Sequence, residues 1–255
     1  MNIIVCAKQV PDPNNPYEFV DGRLKRDGAT NVLDPGDEFG VEAALQLVEA
    51  QGGEVTVLSM GPASATEAIR RALSMGAHKG IQITDDALAG ADAHATAKVL
   101  AAAISKQEDV DLVIASVEST DGYSGVVPQM VAELLGRPSA TFAKKVVVDG
   151  STLRIERQTE KGHDDVECPL PALVTVTAGV NEPRYPTFKG IMQAKSKPLE
   201  TLSLGDLGLS ADDVKPTQSV SAMNDAPARG SGEKFTDDGS GAAKVAEFLK
   251  EAKVI

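Results

Sequence analysis

Leu112-Val113-Ile114-Ala115 runs directly into Ser116-Val117-Glu118-Ser119-Thr120-Asp121-Gly122-Tyr123-Ser124-Gly125, and a helical pattern over residues 126–135 follows. Four apolar residues, then small and hydroxylated ones, then 3.6-residue periodicity describe strand, turn and helix in immediate succession. A strand with no polar alternate position suits burial on both faces, the condition of a parallel sheet. Three more runs share this character: residues 3–7, 55–58 and, more weakly, 80–83. Between them, residues 38–49 place Val41, Ala44, Leu45 and Val48 on one stripe. Residues 63–75 do the same with Ile69, Ala72 and Leu73, and residues 93–104 with Val99, Leu100, Ala103 and Ile104. Strand alternating with helix predicts an α/β fold: a doubly wound, mostly parallel, Rossmann-like sheet with right-handed crossovers.

The pattern changes after Arg137-Pro138. Residues 142–148, 152–158 and 173–177 are strand-like, and Asp149-Gly150 joins the first two as a hairpin turn. These strands are expected to form an antiparallel extension of the same domain. From Gly205 to Gly241 the chain is rich in Asp, Ser, Gly, Pro and Ala and poor in large apolar residues, so it is expected to be poorly ordered. A short helix over 241–253 follows, with Val245, Phe248 and Leu249 on one face. The expected division is an α/β nucleotide-binding domain at 1–204 and a linker with a C-terminal arm at 205–255. Two readings of the arm stand: docking on a partner, or a frayed tail folded onto its own domain.

The chain has 255 residues with 25 Lys+Arg against 37 Asp+Glu, a net charge of −12. That balance disfavours general nucleic-acid binding, and the absence of Trp with only 4% aromatics disfavours a base-stacking surface. Cys6 and Cys168 exclude a disulfide scaffold. Three histidines without an HExxH pattern speak against a protein-built metal site. The N-terminus, Met1-Asn2-Ile3-Ile4-Val5-Cys6-Ala7-Lys8, carries no signal-like or membrane-spanning run, so a cytoplasmic protein without membrane insertion is expected.

Ligands of open α/β sheets bind outside the carboxyl ends of the strands. The loop 116–125, at a helix start, offers small residues, hydroxyls and N–H groups suited to a phosphate, with Ser124 the leading hydroxyl. A small-residue βα turn without any ligand explains the same composition. Ser59-Met60-Gly61-Pro62 and the segment after the first strand face the same edge. No GxxxxGK[ST], GxGxxG or GxSxG pattern occurs. His94 reads as a structural histidine, Cys6 as a small core residue, and Asp85-Asp86 and Asp164-Asp165 as solvated loop charges. A nucleotide pocket without nucleophile, base or metal points to binding rather than turnover.

Asn181-Glu182-Pro183-Arg184-Tyr185-Pro186-Thr187-Phe188-Lys189-Gly190-Ile191-Met192-Gln193-Ala194-Lys195 resembles the signature of the electron transfer flavoprotein β subunit. Lys8-Gln9-Val10-Pro11-Asp12, Asp34-Pro35…Glu38…Val41-Glu42-Ala43-Ala44, Arg71-Ala72-Leu73-Ser74-Met75-Gly76-Ala77 and Pro171-Ala172-Leu173-Val174-Thr175-Val176 agree with it in order and spacing. The resemblance extends over residues 1–210. It implies an electron carrier without catalytic residues of its own, paired with an α subunit that holds the redox FAD. It also implies AMP in this subunit, or a second FAD as in electron-bifurcating members. By position, the nucleotide wall is Cys6, Asp34, Pro35, Gly36, Asp37, Met60, Ser116, Ser119, Thr120, Asp121, Gly122, Tyr123, Ser124, Gly125, Val126 and Val127. The loop gripped by donor flavin dehydrogenases is 184–193, with Arg184, Tyr185, Pro186, Thr187, Phe188, Ile191, Met192 and Gln193 as contacts.

Departures from the family pattern matter. Gln193 and Ser196 stand where some members carry modified lysines, and Gln158 replaces a glutamate associated with docking. The loop 121–129 is one residue shorter than its bifurcating counterpart, which favours AMP. Phe188 has two readings: an exposed anchor, or the start of a helix capped by Thr187 that packs into the core with Ile191 and Met192. A stand-alone nucleotide sensor and an ATP-using enzyme are the readings from other classes.

Overall fold

Apolar runs without polar alternation occupy the middle of the sheet. The computed structural model describes every residue except Asp21, Asp225, Ala226, Ala228, Arg229, Ser231, Glu233 and Phe235, so part of the stretch 205–241 lies outside the described residues. The chain begins with β1 (Asn2–Cys6), β2 (Gln9–Pro11), β3 (Phe19–Val20), β4 (Arg23–Leu24) and β5 (Asn31–Leu33), followed by α1 (Pro35–Gln51). Then come β6 (Glu54–Met60), α2 (Thr66–Met75), β7 (Lys79–Ile83), α3 (Ala93–Ser105), β8 (Leu112–Ser116) and α4 (Val127–Leu134). The second half holds β9 (Ser139–Asp149), β10 (Thr152–Thr159), β11 (Gly162–Pro169), β12 (Ala172–Val176), α5 (Phe188–Ala194), β13 (Leu199–Leu202) and α6 (Gly241–Glu251).

Nine strands form one sheet in the order β11-β10-β9-β12-β8-β1-β6-β7-β13. Every pairing from β9 to β13 along this order is parallel. Only β10 and β11 extend it by antiparallel pairing. One face packs Ile3, Val5, Val55, Val57, Leu112 and Ile114 under α1 and α2; the other packs Ile4, Leu58, Val113 and Leu173 under α3 and α4. Covering both faces buries nearly every position of the central strands, which is why apolar residues dominate them and the few polar ones, such as Thr56, Gln82 and Thr175, are buried too. The order reverses between β1 and β8, so the crevice at their carboxyl ends is the switch point of the winding.

One strand departs from expectation. Residues 173–177 were expected in the antiparallel extension, but Ala172–Val176 lies parallel between β8 and β9, wholly buried. Burial at every position, Thr175 included, is the mark of a central strand. The neighbouring Asp164-Asp165 pair, expected in a loop, lies on the edge strand β11, where both carboxylates remain exposed.

Two compact units result, Met1–Val220 and Ser221–Ile255. Residues 205–220, expected to be poorly ordered, belong to the first. Val214 is buried, and Leu207 and Leu209 pack against the core on the α3 side. Few apolar residues suffice because polar ones tie the backbone down. The Asp92 carboxylate caps α3 through Ala95 N and accepts from Thr217 N at 2.7 Å and Thr217 Oγ1 at 2.9 Å. These hydrogen bonds, led by that of Ala95, hold the Asp92 carboxyl down at about 2. In the second unit, α6 leaves Val245 and Phe248 exposed.

Candidate functional site

At the switch point, polar groups are spent on fixing loops to one another. Asp34, fully buried, caps α1 by accepting from Gly36 N at 2.9 Å and also accepts from Thr120 N at 2.7 Å and Thr120 Oγ1 at 3.1 Å. Asp37 accepts from Lys8 N at 2.7 Å and from Ser116 Oγ at 2.6 Å. Burial, and then the nearby Asp34, raise the Asp37 carboxyl above its ordinary range. The start of α1 and the loop after β8 are thereby locked together. Asp34, Asp37, Ser116 and Thr120 thus serve as the frame of the edge.

Cys6 ends β1 beside them. Burial, and then Asp37, push its thiol up to about 12, so it is a protonated, unreactive packing group. Met60, at the end of β6, packs at the rim of the core on the α3 side.

The loop after β8 has its own internal order. Gly122 N and Tyr123 N donate to Ser119 O, and the Tyr17 hydroxyl donates to Thr120 O at 3.1 Å. The Asp121 side chain is 0% exposed, with Lys8 Nζ at 2.6 Å on one oxygen and Arg26 on the other. Burial opposes its charge, but Lys8 and Arg26 together hold the carboxyl below its ordinary range. Beyond this clasp the chain turns outward. Tyr123 and Gly125 have φ of +47° and +61°, and Gly122, Tyr123, Ser124 and Val126 are exposed. Val126 caps α4 without a side-chain hydrogen bond, which leaves N–H groups of the first turn free.

A second constellation surrounds residues 181–197. Arg184 forks onto α1, with Nε at 2.7 Å and Nη2 at 3.1 Å from the Glu42 carboxylate. Its Nη1 and Nη2 meet Glu49 at 2.5 and 3.0 Å. These carboxylates, Glu49 first, raise the guanidinium further above its ordinary value. Asn181 Nδ2 donates to Phe39 O at 3.0 Å. Thr187 then caps α5 by accepting from Gly190 N at 3.0 Å. Gly190 permits a close crossing, because a Cβ there would stand 2.4 Å from Ser74 O of α2. Arg70 of α2 donates to Ala194 O and Lys197 O at the end of α5, while Lys197 donates to Leu73 O and Ala77 O at the end of α2.

The outward side of this assembly is apolar. Tyr185 is 89% and Phe188 81% exposed, with Ile191 and Met192 about half exposed beside them. The expected cap at Thr187 is present, and α5 begins at Phe188, yet Phe188 does not enter the core. A groove of about 580 Å³ runs between α2 and α5, lined by Glu67, Arg71, Ile191 and Lys195 among others. Arg184, grouped with the contact residues in the sequence, is turned inward and acts as a pin.

Comparison with known proteins fits this geometry. The Electron transfer flavoprotein domain family matches residues 21–207. A Mycobacterium tuberculosis protein named Electron transfer flavoprotein subunit beta is 43% identical over 264 aligned residues, covering 100% of this chain and 99% of that one. The chain belongs to the electron transfer flavoprotein β-subunit family. This membership makes it a protein of flavin-based electron transport. A Bacillus subtilis protein of the same name is 35% identical, and an Acetobacterium woodii protein named Caffeyl-CoA reductase-Etf complex subunit CarD is 36% identical, each over the whole of both chains.

In this electron transfer flavoprotein β-subunit fold, no helix among the described residues is long and apolar enough to cross a membrane. Sequence reasoning missed the structural parts of both constellations: Lys8, Arg26 and Tyr17 against the loop after β8, and Glu42, Arg70 and Lys197 around α5. Only Lys8 and Glu42 fell within quoted motifs, and neither motif names a side-chain partner.

Proposed function

We propose that this chain is the β subunit of a cytoplasmic heterodimer and that it holds AMP. With an FAD-carrying α subunit it passes electrons from donor flavin dehydrogenases, acyl-CoA dehydrogenases among them, to a quinone-linked or other acceptor. The observation that carries this reading is α5 and the loop before it: a doubly pinned helix with Phe188, and Tyr185 just ahead of it, exposed to solvent. A self-contained sensor module has no use for such a surface. FAD supplies the one- and two-electron chemistry when bound with the partner subunit. The residues of this chain position the donor and shield the shared site, which requires no nucleophile or general base.

AMP is supported by the turn at 124–125, where Ser124 and Gly125 donate no backbone hydrogen bond among the described residues, next to the uncapped start of α4. The A. woodii relative, named as part of a caffeyl-CoA reductase complex, supports a second reading, a second FAD in that place. Co-expression with the α-type partner, followed by nucleotide release and chromatography, separates the two. AMP with a single FAD per heterodimer is expected; two FAD and no AMP would favour the second. In the same preparation, Gly125→Glu should empty the nucleotide site. The substitution forces an L side chain to φ +61°, its Cβ 3.5 Å from Glu118 Oε2, and adds a negative charge that repels a phosphate. Full nucleotide occupancy in that variant would place the phosphate elsewhere.

The exposed Val245 and Phe248 of α6 suit an arm lying on the α subunit. Removal of residues 230–255 is expected to weaken the heterodimer while the first unit keeps its thermal midpoint. Undiminished heterodimer affinity in a titration of the shortened chain would refute that role.

A further inference from the structure

A nucleotide phosphate brings nearly two negative charges at neutral pH to a chain whose net charge is already −12. Such a ligand needs local cations. The carboxyl edge supplies two, from segments far apart in sequence. Lys8 follows β1, and Arg26 lies in the excursion between β4 and β5, 95 residues before the carboxylate they share. We propose that Lys8 and Arg26 are the phosphate-binding side chains of the nucleotide site, and that Asp121 positions them; this rests on the nucleotide reading above.

The exposures argue for it. Asp121 is completely enclosed, whereas the Lys8 and Arg26 side chains keep 41% and 40% of their surface open. Two cations and one carboxylate leave a net charge of +1 with both cations partly facing outward. One enclosed carboxylate calls for one cation, and two converge on it, so the burial of Asp121 alone does not account for the pair. Donor capacity also remains. Lys8 Nζ spends itself on Asp121 and, at 3.3 Å, on Ser119 Oγ, while Arg26 gives Asp121 a single Nη of a guanidinium with five N–H donors.

Placement agrees with charge. Lys8 Nζ stands 3.9 Å from where a Cβ on Gly122 would lie, so it flanks the turn that leads to the free N–H groups of Ser124 and Gly125. The backbone behind Arg26 is held by Asn31 Nδ2 on Arg26 O at 3.2 Å, and the segment between β2 and β3 is tied to the loop after β8 by Tyr17. Asp121 therefore removes the rotamer freedom of two long cations before any ligand arrives, which lowers the entropy cost of binding.

The test is calorimetric titration of the heterodimer, depleted of nucleotide on charcoal, with AMP, adenosine, FAD and riboflavin. Arg26→Gln and Lys8→Gln should each weaken AMP by roughly tenfold or more, as expected for a lost charge-assisted hydrogen bond. Adenosine should bind all forms alike, and Arg26→Lys should recover much of the AMP affinity. Should FAD bind in this subunit instead of AMP, the same loss relative to riboflavin supports the assignment and refutes only AMP. Unchanged phosphate-ligand affinity in both glutamine variants overturns the proposal and leaves the nucleotide reading standing. Equal weakening of adenosine and AMP also overturns it, because the cations would then only shape the pocket. If the unaltered heterodimer binds none of the four, the nucleotide reading falls and this assignment with it. Thermal midpoints confirm that each variant is folded; if one is not, the other carries the comparison.

Discussion

Replacing Phe188 by alanine is expected to lower the affinity for a donor flavin dehydrogenase by about 2 kcal/mol or more, roughly thirtyfold, and to leave the thermal midpoint in place. The separation of the two effects follows from where the ring sits. A core phenylalanine would cost ~3–5 kcal/mol of stability on truncation. Phe188 is 81% exposed, so its removal opens no cavity. The cap of α5 comes from Thr187 and its seat on α2 from Gly190, neither of which the substitution touches. What is lost is a large apolar group on a fixed backbone, the profile of a residue that carries a large share of an interface. Electron transfer from a donor at varied concentration, recorded together with a thermal scan of the heterodimer, checks both halves. A lowered midpoint with unaltered donor affinity would show that the ring serves the fold.

Arg184→Ala should act the opposite way, on stability first. Glu42 is 3% exposed, and Arg184 supplies the cation that its carboxylate faces. Breaking a buried pair by deleting one partner costs about 3–5 kcal/mol, because the remaining charge is left without compensation. Arg184 is a third exposed, so solvent screening reduces this to ~2–3 kcal/mol. Arg184→Lys should recover only part, since an ammonium cannot fork onto two carboxylates. Adding Glu42→Gln to Arg184→Ala should restore stability by removing the stranded charge. Denaturant unfolding of the three variants measures this. A single alanine variant as stable as the parent would mean that the pair contributes nothing net.

Much of the fold was legible because two-sided burial writes itself into sequence as uninterrupted apolar runs, as at residues 3–7 and 112–115. The same logic, applied to Ala172–Val176, would have placed that strand in the centre; its position after a hairpin obscured it. β11 and β13 escaped notice because edge strands are exposed and carry charges such as Asp164, Asp165 and Glu200. Residues 205–220 were misjudged by composition. Order there depends on a few well-placed groups, Leu207, Val214 and Thr217, and composition does not record placement. The site divides similarly. Small residues at 119–125 mark a close-approach loop locally, but the meeting of Lys8, Arg26 and Asp121 is a product of topology. Arg184 was visible as a motif member, while its partners on α1 became visible only when the strands were ordered.

The reciprocal bonding of α2 and α5 has a kinetic consequence. Seven residues are too few to stay helical alone in water, since nucleation outweighs propagation at that length. Arg70 completes the carbonyl end of α5 and Lys197 that of α2, so each helix terminates on the other's side chains. Fraying of the short helix therefore requires disturbing a helix whose Ile69, Ala72 and Leu73 are wholly buried. In the proposed role of α5 as a donor-docking surface, its ordering entropy is lost once, when the chain folds, and not again at each encounter. A carrier that must meet and leave successive partners can then form brief complexes through a small contact, with no search for a binding-competent shape on either approach or departure.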